Sequence, residues 1–300
     1  MEPMELKPES IKEDGAVVER IQLEKHESTI LKLEIDVNGI YSLTVKHEEN
    51  NTFNPKKLYN VSRRLPNYDQ NLHAVGIDLG TTECACSVIR HDGVRSLQVH
   101  PASNLYSMPS YVFFEEQKPI CGHVAVSRMK NKADFVVFDA KRFIGKSFDK
   151  IVMDPLWPFK IYKNDENILV EVETFYGRER KSPEEISAVL LSCIKEEAEK
   201  FEGTELSEVV IGIPSEFSEK QKQATLTAAE LAGWQKIHFI PESIAAAFAY
   251  CSEIDLQNNS IVVICDFGGG TLDICVARFK DEQLQILSSD GDSFLGGRDL

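Results

Sequence analysis

The sequence lacks a long apolar run and an excess of basic residues. No stretch approaches the roughly 20 apolar residues that a membrane helix needs, and the start MEPMELKPESIKEDG has no basic segment followed by an apolar one. The 33 lysines and arginines are outnumbered by 48 acidic residues, which gives a formal net charge of −15. Nucleic-acid binding needs clustered basic residues, so this balance argues against it. We expect a cytoplasmic protein, with a nuclear location also open, that binds neither membranes nor nucleic acid.

The seven cysteines show no pairing pattern. Their number is odd, no CxxC occurs, and they are scattered at positions 84, 86, 121, 193, 251, 265 and 275. This usage excludes a disulfide framework and is typical of a reducing compartment. The CAC at 84–86 and the histidines have no metal-ligand spacing. We therefore predict that the cysteines are small, buried apolar side chains.

Residues 1–72 are predicted to form an N-terminal extension. The first 27 residues are charged and only weakly apolar, which indicates a loosely ordered start. Asn38-Gly39 then separates two alternating β-rich runs, a strong signal for a hairpin at about 29–47. The polar segments that follow predict a linker that ends near residue 72.

The pattern changes at residue 73 to that of a duplicated α/β fold. A hydrophobic content of 42% is enough for a sizeable core. Strand–turn–strand units occur near both ends of this region, and helical segments lie between them. Ser182 with Glu185 predicts one helix start, and Ser218 with Gln221 predicts another, because each pair can form a capping box.

Two glycine turns stand in matching contexts, GIDLGTT at 76–82 and CDFGGGTLD at 265–273. Each turn leaves an apolar strand, presents an aspartate at the strand end and continues through glycine to threonine. Glycine lets backbone N–H groups approach an anion, and a neighbouring aspartate offers oxygen ligands for Mg²⁺. One such turn alone is more often a plain hairpin. The second copy favours a clamp that holds a phosphate tail from opposite sides.

A Walker A loop does not explain these turns. The only GK[ST] sequence is Gly145-Lys146-Ser147, and the position that requires the earlier glycine holds Ala140. The phosphate-binding hypothesis therefore depends on the paired turns.

Seven segments resemble the ATPase domain of the seventy-kilodalton heat-shock chaperones in order and approximate spacing. They are GIDLGTT, MPSYVFF, VFDAKRFIGKSF, VVIGIPSEFSEKQKQAT, IPESIAAAFAY, DFGGGTLD and GDSFLGGRDL, and they span about residues 73–300. The resemblance implies an actin-like, ribonuclease-H-type duplicated α/β fold with two lobes around a nucleotide cleft. It implies a complete first lobe at 73–255, with an inserted subdomain at about 110–181, and only the start of a second lobe at 256–300.

The resemblance also implies roles for individual residues. Asp78 and Asp266 would hold a hydrated Mg²⁺. The phosphates of ATP or ADP would be bound by the two turns, through Gly80, Thr81, Thr82, Gly268, Gly269, Gly270 and Thr271. Lys141 matches the lysine that reaches the γ-phosphate and the attacking water, although taken alone it would be interpreted as a solvated surface lysine. The implied catalytic set is Lys141, Glu242, Asp266, Thr271 and Asp273.

Five positions depart from the family pattern. Glu83 replaces a tyrosine, Ser243 a proline, Glu216 an aromatic residue, Lys222 an arginine, and Arg298 an acidic residue. A lysine cannot reproduce the bidentate contact of an arginine. Coupling of nucleotide state to a peptide-binding domain is therefore expected to be weakened.

The sequence thus predicts an ATP-binding chaperone of the heat-shock type. Magnesium-dependent ATP hydrolysis would be coupled to the folding of unfolded client polypeptides in the complete protein, as part of a stress response. The resemblance implies J-domain cochaperones and nucleotide exchange factors as further partners. Two alternatives stay open: a nucleotide-binding scaffold or chaperone regulator with little or no hydrolysis, and a metabolite kinase of the same superfamily. The segments FDAKRFIGKSF and IAAAFAY argue against the kinase.

Both ends of the chain carry further expectations. In the family the second lobe continues through a helical subdomain and a glycine-rich adenosine motif, so we expect half of the adenine pocket to be missing here. We likewise expect no peptide-binding domain after residue 300, although LEIDVNGIYSLTV resembles the last hairpin of the β-sandwich in that domain. A generic Asn-Gly hairpin is the alternative.

Overall fold

The structure is a computed structural model that describes residues 11–13, 16–18, 28–35, 41–48, 57–60, 73–90, 93–98, 105–165 and 167–299. Contacts between residues divide the chain into two units, residues 1–54 and residues 55–300. The second unit holds both glycine turns.

The first unit contains two antiparallel strand pairs, β1 (Ile11–Glu13) with β2 (Ala16–Val18) and β3 (Ser28–Ile35) with β4 (Tyr41–Glu48). The pair β1 and β2 occupies part of the segment that we expected to be loosely ordered. The pair β3 and β4 falls on the predicted hairpin, and its register places Leu33 opposite Leu43. The connecting Asn38-Gly39 lies outside the described residues.

The second unit contains sixteen strands and five α-helices among the described residues. The strands are β5 (Lys57–Asn60), β6 (Val75–Leu79), β7 (Glu83–Arg90), β8 (Gly93–Ser96), β9 (Ser107–Pro109), β10 (Val112–Phe113), β11 (Ile120–Cys121), β12 (Val136–Val137), β13 (Lys160–Asn164), β14 (Asn167–Thr174), β15 (Gly177–Lys181), β16 (Glu208–Ile213), β17 (Lys236–Pro241), β18 (Ser260–Phe267), β19 (Leu272–Lys280) and β20 (Gln283–Asp292). The helices are α1 (His123–Lys132), α2 (Ala140–Phe143), α3 (Pro183–Glu202), α4 (Glu219–Leu231) and α5 (Glu242–Glu253). None of the helices in this described part is long and apolar enough to span a membrane.

A six-stranded sheet forms the centre of the first half of this unit. Its order is β17-β16-β6-β7-β8, and β9 pairs with β7 outside this path. Strands β6, β7 and β8 form an antiparallel meander, whereas β16 runs parallel to β6 and β17. A parallel pair needs a crossover, and α4 provides it between β16 and β17. The apolar residues of the central strands, Val75, Ile77, Val209 and Ile211, are fully buried.

Both predicted helix starts are confirmed. The Ser182 side chain accepts the backbone N–H of Glu185, and the Glu185 side chain accepts the backbone N–H of Ser182 at 2.7 Å. Ser218 and Gln221 form the same capping box at the start of α4. These caps involve only residues three apart, so the sequence alone reveals them.

Two three-stranded sheets lie between the meander and α3 in the chain. Strand β10 pairs with β11 and β12, and β13, β14 and β15 form an antiparallel sheet. Buried side chains from both sheets join the hydrophobic cluster of the main sheet, among them Val112, Phe113, Val136 and Val170. The two small sheets therefore extend one core.

A four-stranded antiparallel sheet of order β18-β19-β20-β5 forms the last part of the unit. Its buried residues and those of α5 make a second hydrophobic cluster, which includes Ala247, Val262, Ala277 and Leu284. Strand β5 lies where we expected a polar linker, and this expectation is wrong for residues 57–60. The segment pairs with the open edge of β20, and the ring of Tyr59 packs edge-on against Phe248 at 5.3 Å. Only the assembled sheet provides that edge.

Burial of the cysteines mostly follows the prediction. Five of them are buried: Cys84, Cys86, Cys121, Cys251 and Cys275. Cys193 is only half-buried, and Cys265 is exposed. The prediction is wrong for Cys265 because its side chain lies on the exposed side of β18, close to the end of the strand.

Candidate functional site

The first glycine turn connects β6 to β7. Asp78 precedes it on β6, Thr81 is buried, and Thr82 is half-buried. The Ser110 hydroxyl donates to the carbonyl of Gly80 at 2.7 Å, and the Ser110 N–H donates to the carbonyl of Thr82 at 2.8 Å. One serine therefore holds both sides of this turn, and the sequence analysis missed it.

The second glycine turn connects β18 to β19. It is closed by a hydrogen bond from the N–H of Gly268 to the carbonyl of Thr271 at 3.0 Å. The segment after β20 braces it, because the N–H of Gly297 donates to the carbonyl of Gly268 at 2.9 Å and the N–H of Arg298 to that of Gly269 at 3.0 Å. The GDSFLGGRDL motif is thus packed against the DFGGGTLD motif.

The two turns face each other at close range. A Cβ added to Gly269 would collide with the side chain of Thr82, and a Cβ added to Gly270 would lie 2.6 Å from Oγ1 of Thr81. Only residues without a side chain allow this approach. The structure therefore brings together the threonines of the first turn and the glycines of the second.

Lys141 and Glu242 form an ion pair near the first turn. Lys141 lies in the short helix α2, and Glu242 is the first residue of α5. Nζ of Lys141 donates to Oε1 of Glu242 at 2.5 Å, and the two side chains are only 9% and 13% exposed. This burial excludes the interpretation of Lys141 as a solvated surface lysine.

Several carboxylates surround this lysine. Burial by itself lowers the pKa of Lys141, but attraction to Glu242 and Asp78 outweighs it and raises the pKa. Burial raises the pKa of Glu242, which Lys141 opposes and Asp78 reinforces. Burial, followed by repulsion from Asp78 and Asp273, raises the pKa of Asp266. These directions indicate more negative charge than one lysine neutralises.

Asp273 is held in place by the backbone. It is 2% exposed and lies on β19 directly opposite Asp266 of β18. One of its oxygens accepts the backbone N–H of Ser215 at 2.8 Å. Asp273 thereby links the end of β16 to the second glycine turn.

This geometry agrees with the comparison of the chain with known proteins, in which a family model described as Hsp70 protein matches residues 74–300. The chain belongs to the Hsp70 family. It is 35% identical over 231 residues to a heat shock 70 kDa protein of Emericella nidulans and 33% identical over 232 residues to a heat shock cognate HSP70 protein of Trypanosoma brucei brucei. It is also 36% identical over 235 residues to heat shock cognate 70 kDa protein 3 of Dictyostelium discoideum.

These three matches each cover 76% of this chain and 34% to 37% of the relative. The chain thus spans about a third of the length of the curated relatives it matches. The resemblance found in the sequence is confirmed, and the mixed α/β architecture is that of the actin-like Hsp70 ATPase fold.

The Hsp70 site contains a glycine that the sequence analysis did not single out. Gly212 lies on β16, and a Cβ there would be 3.2 Å from Cγ of Glu242. A larger residue would therefore push Glu242 away from Lys141. The signal was present in VVIGIP, since a glycine inside an apolar strand often marks a close approach.

Arg142 and Asp299 are two further residues that the sequence analysis missed. The guanidinium of Arg142 donates to both carboxylate oxygens of Asp299, at 2.8 Å and 2.9 Å, and to the carbonyl of Gly269 at 3.3 Å. Asp299 also accepts the N–H of Gly296 at 2.8 Å. Arg142, which follows Lys141 in the chain, thus fastens the second turn to α2.

Arg298, the departure at the end of the Hsp70 motif, has a defined partner. Its Nε lies 3.3 Å from Oδ1 of Asp139, a carboxylate that is 1% exposed. Nε1 of Trp157 donates to the other oxygen of Asp139 at 3.0 Å. Burial raises the pKa of Asp139, and Trp157 and Arg298 oppose that rise. An acidic residue at position 298 would instead repel Asp139.

Other departures make local contacts. Glu83 accepts a hydrogen bond from the Ser107 hydroxyl. Ser243 is fully buried, with its Oγ 3.2 Å from Oγ of Ser215. Lys222 pairs at 2.7 Å with Glu219 of its own helix, and Glu219 is 90% exposed.

The carboxylates of Asp78 and Asp266 fit a divalent cation only when other ligands complete the coordination shell of that cation. Within the described ranges, no three His, Cys, Asp or Glu side chains are arranged to hold a metal ion. Mg²⁺ usually keeps several waters and binds through one or two carboxylates and substrate phosphates. Asp78 and Asp266 fit that mode. Burial and then repulsion from Asp78 and Asp273 raise the pKa of Asp266, and a bound cation would offset this penalty on the ionised carboxylate.

Proposed function

We propose that this Hsp70 chain binds a nucleoside triphosphate between its two glycine turns and hydrolyses it with Mg²⁺. The observation that carries the proposal is the close approach of Thr81 and Thr82 to Gly270 and Gly269. Each turn follows a strand whose second-to-last residue is an aspartate, Asp78 in one case and Asp266 in the other. Backbone N–H groups, threonine hydroxyls and a metal-binding carboxylate would then reach the phosphates from both sides.

The phosphates would occupy space that the turns now fill with their own atoms. A cavity of about 10 Å³, room for about one water molecule, lies on the side of the first turn that faces Ser110, Lys141 and Gly212, and the second turn does not line it. Because Gly269 and Gly270 already lie against Thr82 and Thr81, phosphates between the turns would have to move the turns apart. The bond from Arg142 to Asp299 fastens the second turn to α2 and would have to accommodate this movement.

Lys141 would stabilise the charge that develops on the transferred phosphate. Phosphoryl transfer depends mainly on positioning and charge stabilisation, and a buried cation is effective because little water screens it. Glu242 holds the Nζ group in place, and the raised pKa of Lys141 keeps it protonated. Mg²⁺, when bound, would neutralise phosphate charge. Glu242, Asp273 and Thr271 would orient the water that attacks the phosphate.

In the complete protein we propose that hydrolysis is coupled to the binding of unfolded client polypeptides, with J-domain cochaperones and nucleotide exchange factors as partners. The family assignment and the names of the relatives support this role. We place the protein in the cytoplasm.

Replacement of Lys141 tests the enzymatic proposal. Lys141→Ala should reduce the single-turnover rate of Mg-ATP hydrolysis by about 100-fold or more, the usual loss when one charge-stabilising donor is removed. The dissociation constant for Mg-ATP should change by only a few-fold, because the turns supply most of the phosphate contacts. Rapid-quench measurements with labelled ATP give the rate, and equilibrium titration gives the affinity.

Lys200→Ala is the matched control, since this lysine is 67% exposed and pairs with Glu197 of its own helix. It should behave like the parent protein. Absence of Mg-ATP binding by the parent protein would overturn the proposal. Equal rates for Lys141→Ala and the parent would remove Lys141 from the mechanism.

The alternative, a nucleotide-binding chaperone regulator with little hydrolysis, is favoured by one observation. Lys222 pairs within its own helix, so it provides no bidentate link of the kind expected of an arginine at this position. Mg-ATP binding without turnover in the parent protein would select this alternative.

A further inference from the structure

A pair of cysteines lies apart from the nucleotide site. Cys121 ends β11, and Cys193 lies on α3, 72 residues later in the chain. Their sulfur atoms are 2.7 Å apart in a thiol–thiol hydrogen bond. The sulfurs of a disulfide are about 2.05 Å apart, so a small shift would join them.

The two thiols have different surroundings. Cys121 is 8% exposed, and its Sγ donates to the carbonyl of Val189 at 3.6 Å. Cys193 is only half-buried, so a small molecule in solvent reaches it first. Lys118 and Glu196, paired at 2.6 Å, lie among the charges that act on Cys193.

The difference in exposure divides the chemical roles, because the half-buried Cys193 meets an oxidant in solvent and the buried Cys121 lies beside it. Burial raises the pKa of Cys121 well above its ordinary value. The hydrogen bond with Cys121 lowers the pKa of Cys193, although burial opposes this. Oxidation-sensitive cysteines have this arrangement: an accessible thiol with enhanced thiolate character lies beside a second thiol that can resolve the first oxidation product.

We propose that Cys121 and Cys193 are an oxidation site, at which hydrogen peroxide oxidises the two thiols to a reversible disulfide. The Cys193 thiolate attacks one peroxide oxygen, the O–O bond breaks, and the hydroxide released takes up a proton to become water. This step leaves a sulfenic acid on Cys193. The Cys121 sulfur then attacks the Cys193 sulfur, loses its proton, and displaces a second water. Two thiols are thereby oxidised to one disulfide while one peroxide is reduced to two waters.

The disulfide would tie α3 to the small sheet of β10, β11 and β12. Ser187 and Leu190 of α3 line the same cavity as Gly80 and Lys141. The disulfide would therefore make the α3 side of this cavity more rigid. Neither cysteine lines that cavity, so the proposal stands whether or not the chain hydrolyses ATP.

Peptide mass spectrometry provides a direct test. Trypsin should release residues 96–128, because the Lys118-Pro119 bond resists cleavage, and residues 182–195. Each peptide contains a single cysteine, Cys121 in the first and Cys193 in the second. After treatment of the folded protein with a few equivalents of hydrogen peroxide, the two peptides should be recovered as one cross-linked species that is 2 Da lighter than their sum. Dithiothreitol should separate them.

Three variants sharpen this test. Cys193→Ser and Cys121→Ser should each abolish the cross-link, and Cys121→Ser should leave the Cys193 sulfenic acid free for trapping with dimedone. Cys265→Ser is the matched control, because it removes an exposed thiol elsewhere, and it should leave the cross-link unchanged. The proposal would be overturned if peroxide oxidised Cys265 without linking the two peptides. Conversion of Cys193 to sulfinic or sulfonic acid without the link would also overturn it.

Discussion

At the scale of single residues, the site concentrates negative charge around one lysine. Asp78, Glu242 and Asp266 all lie close enough to Lys141 to affect its pKa or to be affected by it. The pKa of Asp266 is raised, first by burial and then by the neighbouring carboxylates. Its ionised form is therefore a cost to the folded protein, and a bound cation would relieve that cost.

Asp266→Asn should stabilise the protein in the absence of metal and nucleotide. Because the folded protein binds this proton more tightly than the unfolded chain, the free energy of unfolding falls as the pH rises from the ordinary value of 3.8 through the raised pKa. The variant lacks this fall. It should unfold at higher urea than the parent at about pH 8, and the difference should shrink towards about pH 4.

Asp149→Asn is the control for this experiment, since the side chain of Asp149 is 78% exposed and its ion-pair contact with Nζ of Lys163 is as long as 3.9 Å. It should not change the pH dependence. A stability difference between Asp266→Asn and the parent that is the same at both pH values would contradict the role assigned to the charge.

At the scale of elements, the two glycine turns depend on each other. A side chain at Gly269 would enter the space of Thr82, whereas a Cβ at Gly268 meets nothing closer than the carbonyl oxygen of Thr271 at 3.7 Å. Two neighbouring glycines of one turn therefore differ in what they require. Gly268 tolerates a methyl group, and Gly269 does not.

Gly269→Ala should lower the free energy of unfolding by about 1–3 kcal/mol, the usual cost of overpacking. Gly268→Ala should stay within about 0.5 kcal/mol of the parent. Equilibrium urea unfolding of the two variants measures both effects without any nucleotide. Equal destabilisation by the two alanines would show that the turns do not approach each other as described.

At the scale of the whole molecule, Arg142 connects the first core to the second. It lies on α2, and its partners Asp299 and Gly269 belong to the segments that flank β20 and β18. The Arg142 and Asp299 side chains are 19% and 26% exposed, so water screens the pair only partly. The contact is bidentate, which makes it stronger than a typical surface ion pair.

Arg142→Ala should therefore lower the free energy of unfolding by about 1.5–3 kcal/mol, the range for hydrogen bonds to charged groups. A double-mutant cycle with Asp299→Ala should assign most of that loss to the pair, and hydrogen exchange should speed up in the second glycine turn. Arg178→Ala is the control, because Arg178 pairs with Glu173 at the surface and its side chain is 68% exposed. This variant should lower the free energy of unfolding by less than about 1 kcal/mol. A coupling energy near zero would contradict the link.

The sequence by itself determined the features that depend on near neighbours in the chain. The capping boxes at Ser182 and Ser218 and the paired glycine turns are legible because caps and turns have local requirements for residue type. The order of the motifs was also sufficient for the family and its fold. The buried state of Lys141 was not legible, since a single lysine in DAKRF gives no sign of the helix start that covers it.

Only the tertiary structure decided which distant residues meet. The contacts of Lys141 with Glu242, Arg142 with Asp299, Arg298 with Asp139, and Cys121 with Cys193 each join segments that are far apart in the chain. The strand at 57–60 likewise formed because β20 offered an open edge. Such pairs leave no local pattern, because their geometry is set by how whole sheets and helices pack rather than by the residues beside them.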